Sequence, residues 1–128
     1  MTIQKYFDEI KDVIDRFSAT HFVLDTTVNF DIRPGDQGYL KGLIYFSDNS
    51  TFHFKEFLDA TDETVDKLMY VYHYQDSKKQ LIFRYDNALH KPRLPFREHK
   101  HTSDQILKVP VPTIVEVLEE IFIQKNWI

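Results

Sequence analysis

A two-layer α+β domain is what this sequence predicts. Segments at helical spacing stand near both ends, and between them the apolar residues recur with a period of two. An antiparallel meander of about five strands, with an N-terminal and a C-terminal helix packed on it, buries all of these faces at once. Composition agrees. Aromatic residues make up 15% of the chain against only 3 Gly and 5 Pro, which marks an ordered, β-rich protein. At 128 residues the length suits one domain, 1–128, around one core.

Each element follows in chain order. Ile3, Tyr6, Phe7, Ile10, Val13, Ile14 and Phe17 recur at three-and-four spacing, with acids and lysines between them, so residues 3–17 form an amphipathic helix. From Phe22 to Ile32 the alternation is that of a strand, closed by the turn Pro34-Gly35-Asp36-Gln37-Gly38. Tyr39–Phe46 and Thr51–Leu58 form a hairpin around Ser47-Asp48-Asn49-Ser50. With Asp48-Asn49 as its two turn residues, Ile44 opposes His53, Leu43 opposes Phe54 and Lys41 opposes Glu56, so Glu56 has a cross-strand partner in Lys41. The acidic run Asp59–Asp66 breaks the pattern before strands Lys67–Gln75 and Gln80–Asp86. Turning that hairpin at Ser77-Lys78 places Leu68, Tyr70, Tyr72 and Tyr74 with Leu81, Phe83 and Tyr85 on one face. The other face then carries Met69, Val71 and His73 beside Ile82, Arg84 and Asp86. Residues 87–112 hold four of the five prolines and read as one long surface loop, a length uncommon without a function. Thr113-x-x-Glu116 is a capping box opening a final helix over Thr113–Phe122.

Charge and residue type bound the chemistry. The absence of Cys excludes disulfides, thiolate metal clusters and cysteine nucleophiles. No apolar stretch reaches membrane-spanning length and the N-terminus lacks a leader pattern, so the expectation is a soluble cytoplasmic protein with no membrane partner. The formal charge of -4 argues against bulk coating of DNA, yet Arg84 to His101 carries five positive residues against two negative.

Within that basic segment, Arg84 offers a planar fork for phosphate, Asp86 can orient Arg84 or a histidine, and His90 can act as acid or base near neutral pH. The plain alternative is that Arg84 and Asp86 merely pair and Asn87 turns the chain. His99 and His101, on either side of Lys100, point the same way on an extended segment, as metal ligands must, with Asp86 and His90 as further ligands. The surrounding Lys and Arg repel a cation, so no metal and no cofactor is expected. A basic loop with histidines, and tyrosines nearby, suits a phosphodiester backbone with stacked bases. Lys91, Arg93, Arg97, Lys100, Tyr72, His73 and Tyr74 are the expected binding residues. There Arg84 would hold the scissile phosphate, His90 and one of His99 or His101 would be acid and base, and Asp86 would orient a histidine. A rival reading is a non-enzymatic module docking a protein through the aromatic face of Tyr70, Tyr72 and Tyr74, a face that also suits a homodimer.

The run Leu81-Ile-Phe-Arg-Tyr-Asp-Asn-Ala-Leu-His90, followed by Pro92, Leu94, Phe96 and Glu98-His-Lys-His101, resembles the signature of the TumE-type toxins of prokaryotic toxin–antitoxin operons. Tyr72-His-Tyr74, Glu56 and the helical tail Thr113–Ile121 fit as well, and the resemblance spans residues 6 to 122. Two departures are Leu89, where the family pattern has proline before its first histidine, and Arg97-Glu98, where it has histidine or proline nearby. The resemblance implies a growth-inhibiting toxin neutralised by a separately encoded antitoxin, often a small helix-turn-helix protein. By analogy of architecture it also implies a metal-independent endoribonuclease.

Overall fold

The computed structural model describes residues 1–89 and 93–128. Helix α1 (Ile3–Ser18) is started by Thr2, whose hydroxyl accepts from the Lys5 backbone N–H at 3.1 Å. Among the described residues seven strands follow in a single antiparallel sheet ordered as in the chain: β1 (Val23–Arg33), β2 (Gln37–Phe46), β3 (Thr51–Asp59), β4 (Asp66–Gln75), β5 (Leu81–Asp86), β6 (His99–His101) and β7 (Ile106–Lys108). Helix α2 (Ile114–Gln124) closes the chain behind the expected capping box of Thr113 and Glu116. The α+β class and the two flanking helices hold. The strand count rises because β6 and β7 lie inside the stretch expected to be a loop.

Both helices cover the same face of the sheet. Ile3, Phe7, Ile10 and Ile14 of α1 and Ile114, Val117, Leu118, Ile121 and Phe122 of α2 are buried against Leu40, Ile44, Phe52, Phe54, Tyr72, Tyr74 and Phe83. Phe17 meets Phe122 edge-on at 4.9 Å where the helices touch, and Trp127 stacks on Phe22 at 5.0 Å to seal that end. A Phe buried in this way stabilises by about 1.5–3 kcal/mol.

The hairpin between β2 and β3 departs from the expected register by one residue. Leu43 opposes His53, Gly42 opposes Phe54 and Leu40 opposes Glu56, while Lys41 faces Lys55. The reason lies in the turn. Asn49 takes φ 67°, its N–H bonds the Phe46 carbonyl at 2.9 Å, and Phe46 N–H bonds the Ser50 carbonyl at 3.0 Å. This is a three-residue loop whose last residue is left-handed, not a two-residue turn. Glu56 therefore points under the helices rather than toward Lys41.

Buried there, Glu56 accepts from Tyr6 Oη at 2.5 Å and from Tyr72 Oη, with Lys67 Nζ at 3.7 Å. Lys67 Nζ also donates to Tyr72 Oη at 2.6 Å and to the Pro112 carbonyl at 2.8 Å. Burial, and then the Glu56 charge, pushes both phenols above their usual range, and burial lowers Lys67 against the pull of Glu56. Every polar group in this cluster has a partner, which is what keeps a buried carboxylate tolerable.

Between β4 and β5, Tyr72 pairs with Tyr85, Tyr74 with Phe83 and His73 with Arg84, with a shift at Gln75. The two expected faces are kept at these positions, but Leu68 is exposed rather than in the core. Gly42 is required by contact: a Cβ there would stand 2.1 Å from Cζ of the Phe54 ring. Gly42→Ala should cost about 1–3 kcal/mol in urea unfolding through overpacking, and an unchanged midpoint would contradict this geometry.

Candidate functional site

The face of the sheet away from the helices carries the polar residues. Alternation along each strand sends Lys41, Leu43 and Tyr45 of β2, His53 and Lys55 of β3, Val71 and His73 of β4, Arg84 and Asp86 of β5, and His99 and His101 of β6 to this side. Strand pairing then lines up His53, His73, Arg84 and His101 as direct cross-strand neighbours in one row. A second row runs through Lys55, Val71, Asp86 and His99.

Asp86 is the hub. Its carboxylate is only 3% exposed. Oδ2 accepts from Arg84 Nε at 2.9 Å, while Oδ1 accepts from the Ala88 backbone N–H at 3.0 Å and lies 2.8 Å from His99 Nε2. His101 Nε2 stands 3.7 Å from Oδ2, and the two histidine rings meet edge-on at 4.8 Å. His99 is fully buried, and its Nδ1 lies 2.5 Å from the Arg97 carbonyl. A carbonyl only accepts, so Nδ1 carries a proton and Nε2 is the nitrogen turned to Asp86. Asn87 finishes β5 by side chain: its Oδ1 accepts from Tyr70 N–H and its amide donates to the Leu68 carbonyl, both at 3.2 Å.

Four of the expected catalytic residues, Arg84, Asp86, His99 and His101, thus meet at one place. His90 and Lys91 lie outside the described residues. Arg93 and Arg97 are exposed on the connection ahead of β6, beside a crevice lined by Leu89, Leu94 and Phe96. Three expectations for binding are corrected. Tyr72 and Tyr74 are wholly buried beneath the helices and offer no ring to a ligand. Lys100 points to the same covered face, where its Nζ pairs with Glu120 at 2.7 Å over the rings of Phe83 and Tyr85. The aromatic face of Tyr70, Tyr72 and Tyr74 is likewise interior, which removes the basis for docking a partner or a second copy through it.

Asp86, His99 and His101 each present one ligand atom, all within 4.8 Å of one another, a set with the donor types of a cation site. Against such use, Arg84 sits directly on Asp86 Oδ2 and already neutralises the carboxylate.

Sequence reasoning missed His53, Lys41 and Lys55 as neighbours of the site. Strand alternation was the available signal, since all three are odd-numbered positions opposite the buried Leu40, Ile44, Phe52 and Phe54. The wrong hairpin register hid their grouping. His73 Nδ1 accepts from Arg84 Nη1 at 3.4 Å, because a guanidinium only donates, so its Nε2 donates to Gln75 Oε1 at 3.0 Å. Burial lowers His53 from 6.5, helped by His73; burial and Arg84 lower His73, with the Gln75 bond opposing.

The chain is thus an α+β protein whose sheet has one face sealed by two helices and an Arg/Asp/His cluster on the other. A family model described as Toxin TumE matches residues 10–126, and the chain belongs to that family. No curated protein and no solved structure matches it. Membership makes the chain the toxin component of a toxin–antitoxin system, with an antitoxin as its partner. Among the described residues no helix is long and apolar enough to cross a membrane.

The two lowered histidines carry a stability consequence. Between their folded values and 6.5 the unfolded chain binds more protons, so stability rises with pH in that window. It is complete above 6.5 and falls as pH drops through the folded values. Thermal melts between about pH 7.5 and 5 should show this acid loss, and His53→Gln with His73→Gln should flatten it.

Proposed function

We propose that this toxin is a metal-independent endoribonuclease, and that its partner is a small helix-turn-helix antitoxin encoded beside it. The observation that carries the reading is the convergence of Arg84, Asp86, His99 and His101 on the uncovered sheet face of a chain whose overall charge is -4. Arg84 is held through Nε by Asp86 and through Nη1 by His73, and its side chain stays 38% exposed, so a fixed guanidinium charge stands on the open face for a phosphate. Asp86 also fixes the orientation of His99. His101, one-fifth exposed, borders both Arg84 and Asp86.

In the reaction, a base takes the proton of the ribose 2′-hydroxyl, and O2′ forms a bond to the adjacent phosphorus. The bond from phosphorus to the 5′-oxygen breaks, and an acid protonates that leaving oxygen. The products are a 2′,3′-cyclic phosphate and a 5′-hydroxyl. Arg84 stabilises the charge that builds on the non-bridging oxygens. His101 and His90 exchange the protons, and His99 with Asp86 holds the cluster rigid. The Arg84–Asp86 pair supports chemistry without a metal, since it occupies the one carboxylate that a cation would need.

Purified, antitoxin-free protein should cleave RNA in EDTA and leave cyclic phosphate ends. His101→Ala, His90→Ala and Arg84→Ala should each lower the rate by about 10²–10⁴-fold and relieve growth arrest in parallel. RNA left intact would sink the ribonuclease reading. Cleavage abolished by EDTA and restored by a divalent ion would instead assign Asp86, His99 and His101 to a metal.

A further inference from the structure

A groove of about 630 Å³ opens on the uncovered face next to the Arg84 cluster. It crosses β5, β4, β3 and β2 and reaches Asn29 on β1, with Lys41, Tyr45, His53, Lys55, Gln75 and Arg84 among its walls. From β5 to β2 that is three strand spacings, or about 14 Å. No carboxylate lines it, although acids outnumber Lys and Arg by 20 to 16 in the whole chain. Lys41 and Lys55 are cross-strand neighbours, both exposed, a like-charge pairing that costs stability unless an anion lies over it. Beside them Tyr45 is 44% exposed and His53 is also exposed, so two planar rings face the groove. Asn29 and Gln75 at its walls carry both donors and acceptors.

We propose that this groove is the subsite for single-stranded RNA flanking the scissile bond: Lys41 and Lys55 hold its phosphates, Tyr45 and His53 stack on its bases, and Asn29 and Gln75 meet base edges. The inference rests on the ribonuclease reading and names where the rest of that substrate lies. Charge alone would also suit an acidic protein segment. Rings and amides set among the cations favour a nucleic acid, because stacking is how single strands are held without sequence preference. Arg84 belongs to both the groove and the Asp86 cluster, so a strand bound here runs directly into the reacting centre.

The test uses the full chain and a 2′-O-methyl RNA 12-mer, which lacks the nucleophile and is read by fluorescence anisotropy. Lys41→Gln combined with Lys55→Gln should weaken binding at least ten-fold and reduce the slope of log K against log salt by about 1.4, two contacts at about 0.7 each. Tyr45→Ser should weaken it about ten-fold. As a control, Lys5→Gln with Lys11→Gln on the exposed side of α1 removes the same charge and should leave binding unchanged. Equal weakening by the control pair, no binding by the wild-type protein, or equal competition by a glutamate decamer would overturn the proposal. The last result would assign the groove to an acidic protein segment. Tight, groove-dependent binding with no cleavage of ordinary RNA would retire the ribonuclease reading while leaving the subsite standing. Cleavage by a protein whose groove variants bind normally would do the reverse.

Discussion

The buried carboxylate of Asp86 sets the terms for the uncovered half of the molecule. A carboxylate removed from water must be matched by donors, and the last residues of β5 alone do not supply enough of them. Arg84 comes from the same strand, two residues back. The Ala88 N–H comes from the chain leaving the strand, and His99 comes from β6. The chain therefore has to return after a long connection and pair with β5, and the two short strands β6 and β7 are the means of that return. Their three-residue ladders are too short to hold by backbone bonds alone. Side chains on both faces supply the rest.

Those faces have been given opposite work. On the covered side, Lys100 reaches Glu120 of α2, Tyr85 donates to the same carboxylate, and Tyr70 donates to Glu98. On the uncovered side, the residues one position away, His99 and His101, meet Asp86. Alternation with a period of two lets a segment as short as His99–His101 anchor to a helix through one residue and build a site through its two neighbours. Segregation of this kind also explains how a chain of net charge -4 presents a basic groove. Acids are not absent from the uncovered face, but Asp25 and Asp31 of β1 and Asp86 of β5 stand outside the walls of the groove, and others lie along α1 and in the connector between β3 and β4.

How far this was legible in the sequence depended on how local the determining physics is. The helices follow from apolar spacing and from caps a few residues away, and Thr113 with Glu116 behaves as read. The first five strands follow from alternation. Hairpin register was not legible, because Asn49 reads equally well in a two-residue turn and in the left-handed position of a three-residue loop. That single choice moved Glu56 from a pairing with Lys41 to a buried cluster, and it hid the grouping of Lys41, His53 and Lys55. Strands β6 and β7 were hidden for another reason. Three residues give no periodicity to detect, and what stabilises them is tertiary: Asp86 on one side and Glu120 on the other. In the site, residue types were readable but faces were not, so Lys100, Tyr72 and Tyr74 were grouped with residues from which the sheet separates them.

Two carboxylates are wholly or almost wholly buried in this sheet, and comparing them decides which is suited to chemistry. Glu56 is enclosed by Tyr6, Tyr72 and Lys67, and Lys67 spends a further donor on the Pro112 carbonyl just ahead of α2. Glu56 itself is fully buried, and through Lys67 it fastens the segment ahead of the C-terminal helix to the sheet. Asp86 is as well satisfied, but two of its neighbours, Arg84 and His101, border the open face. Its own contacts hold those groups in place before any ligand arrives. A site arranged in this way loses little free energy to reorganisation when charge develops in a reaction, which is where electrostatic catalysis has its largest effect. Glu56 secures the frame, and Asp86 sets the geometry of the groups that face solvent.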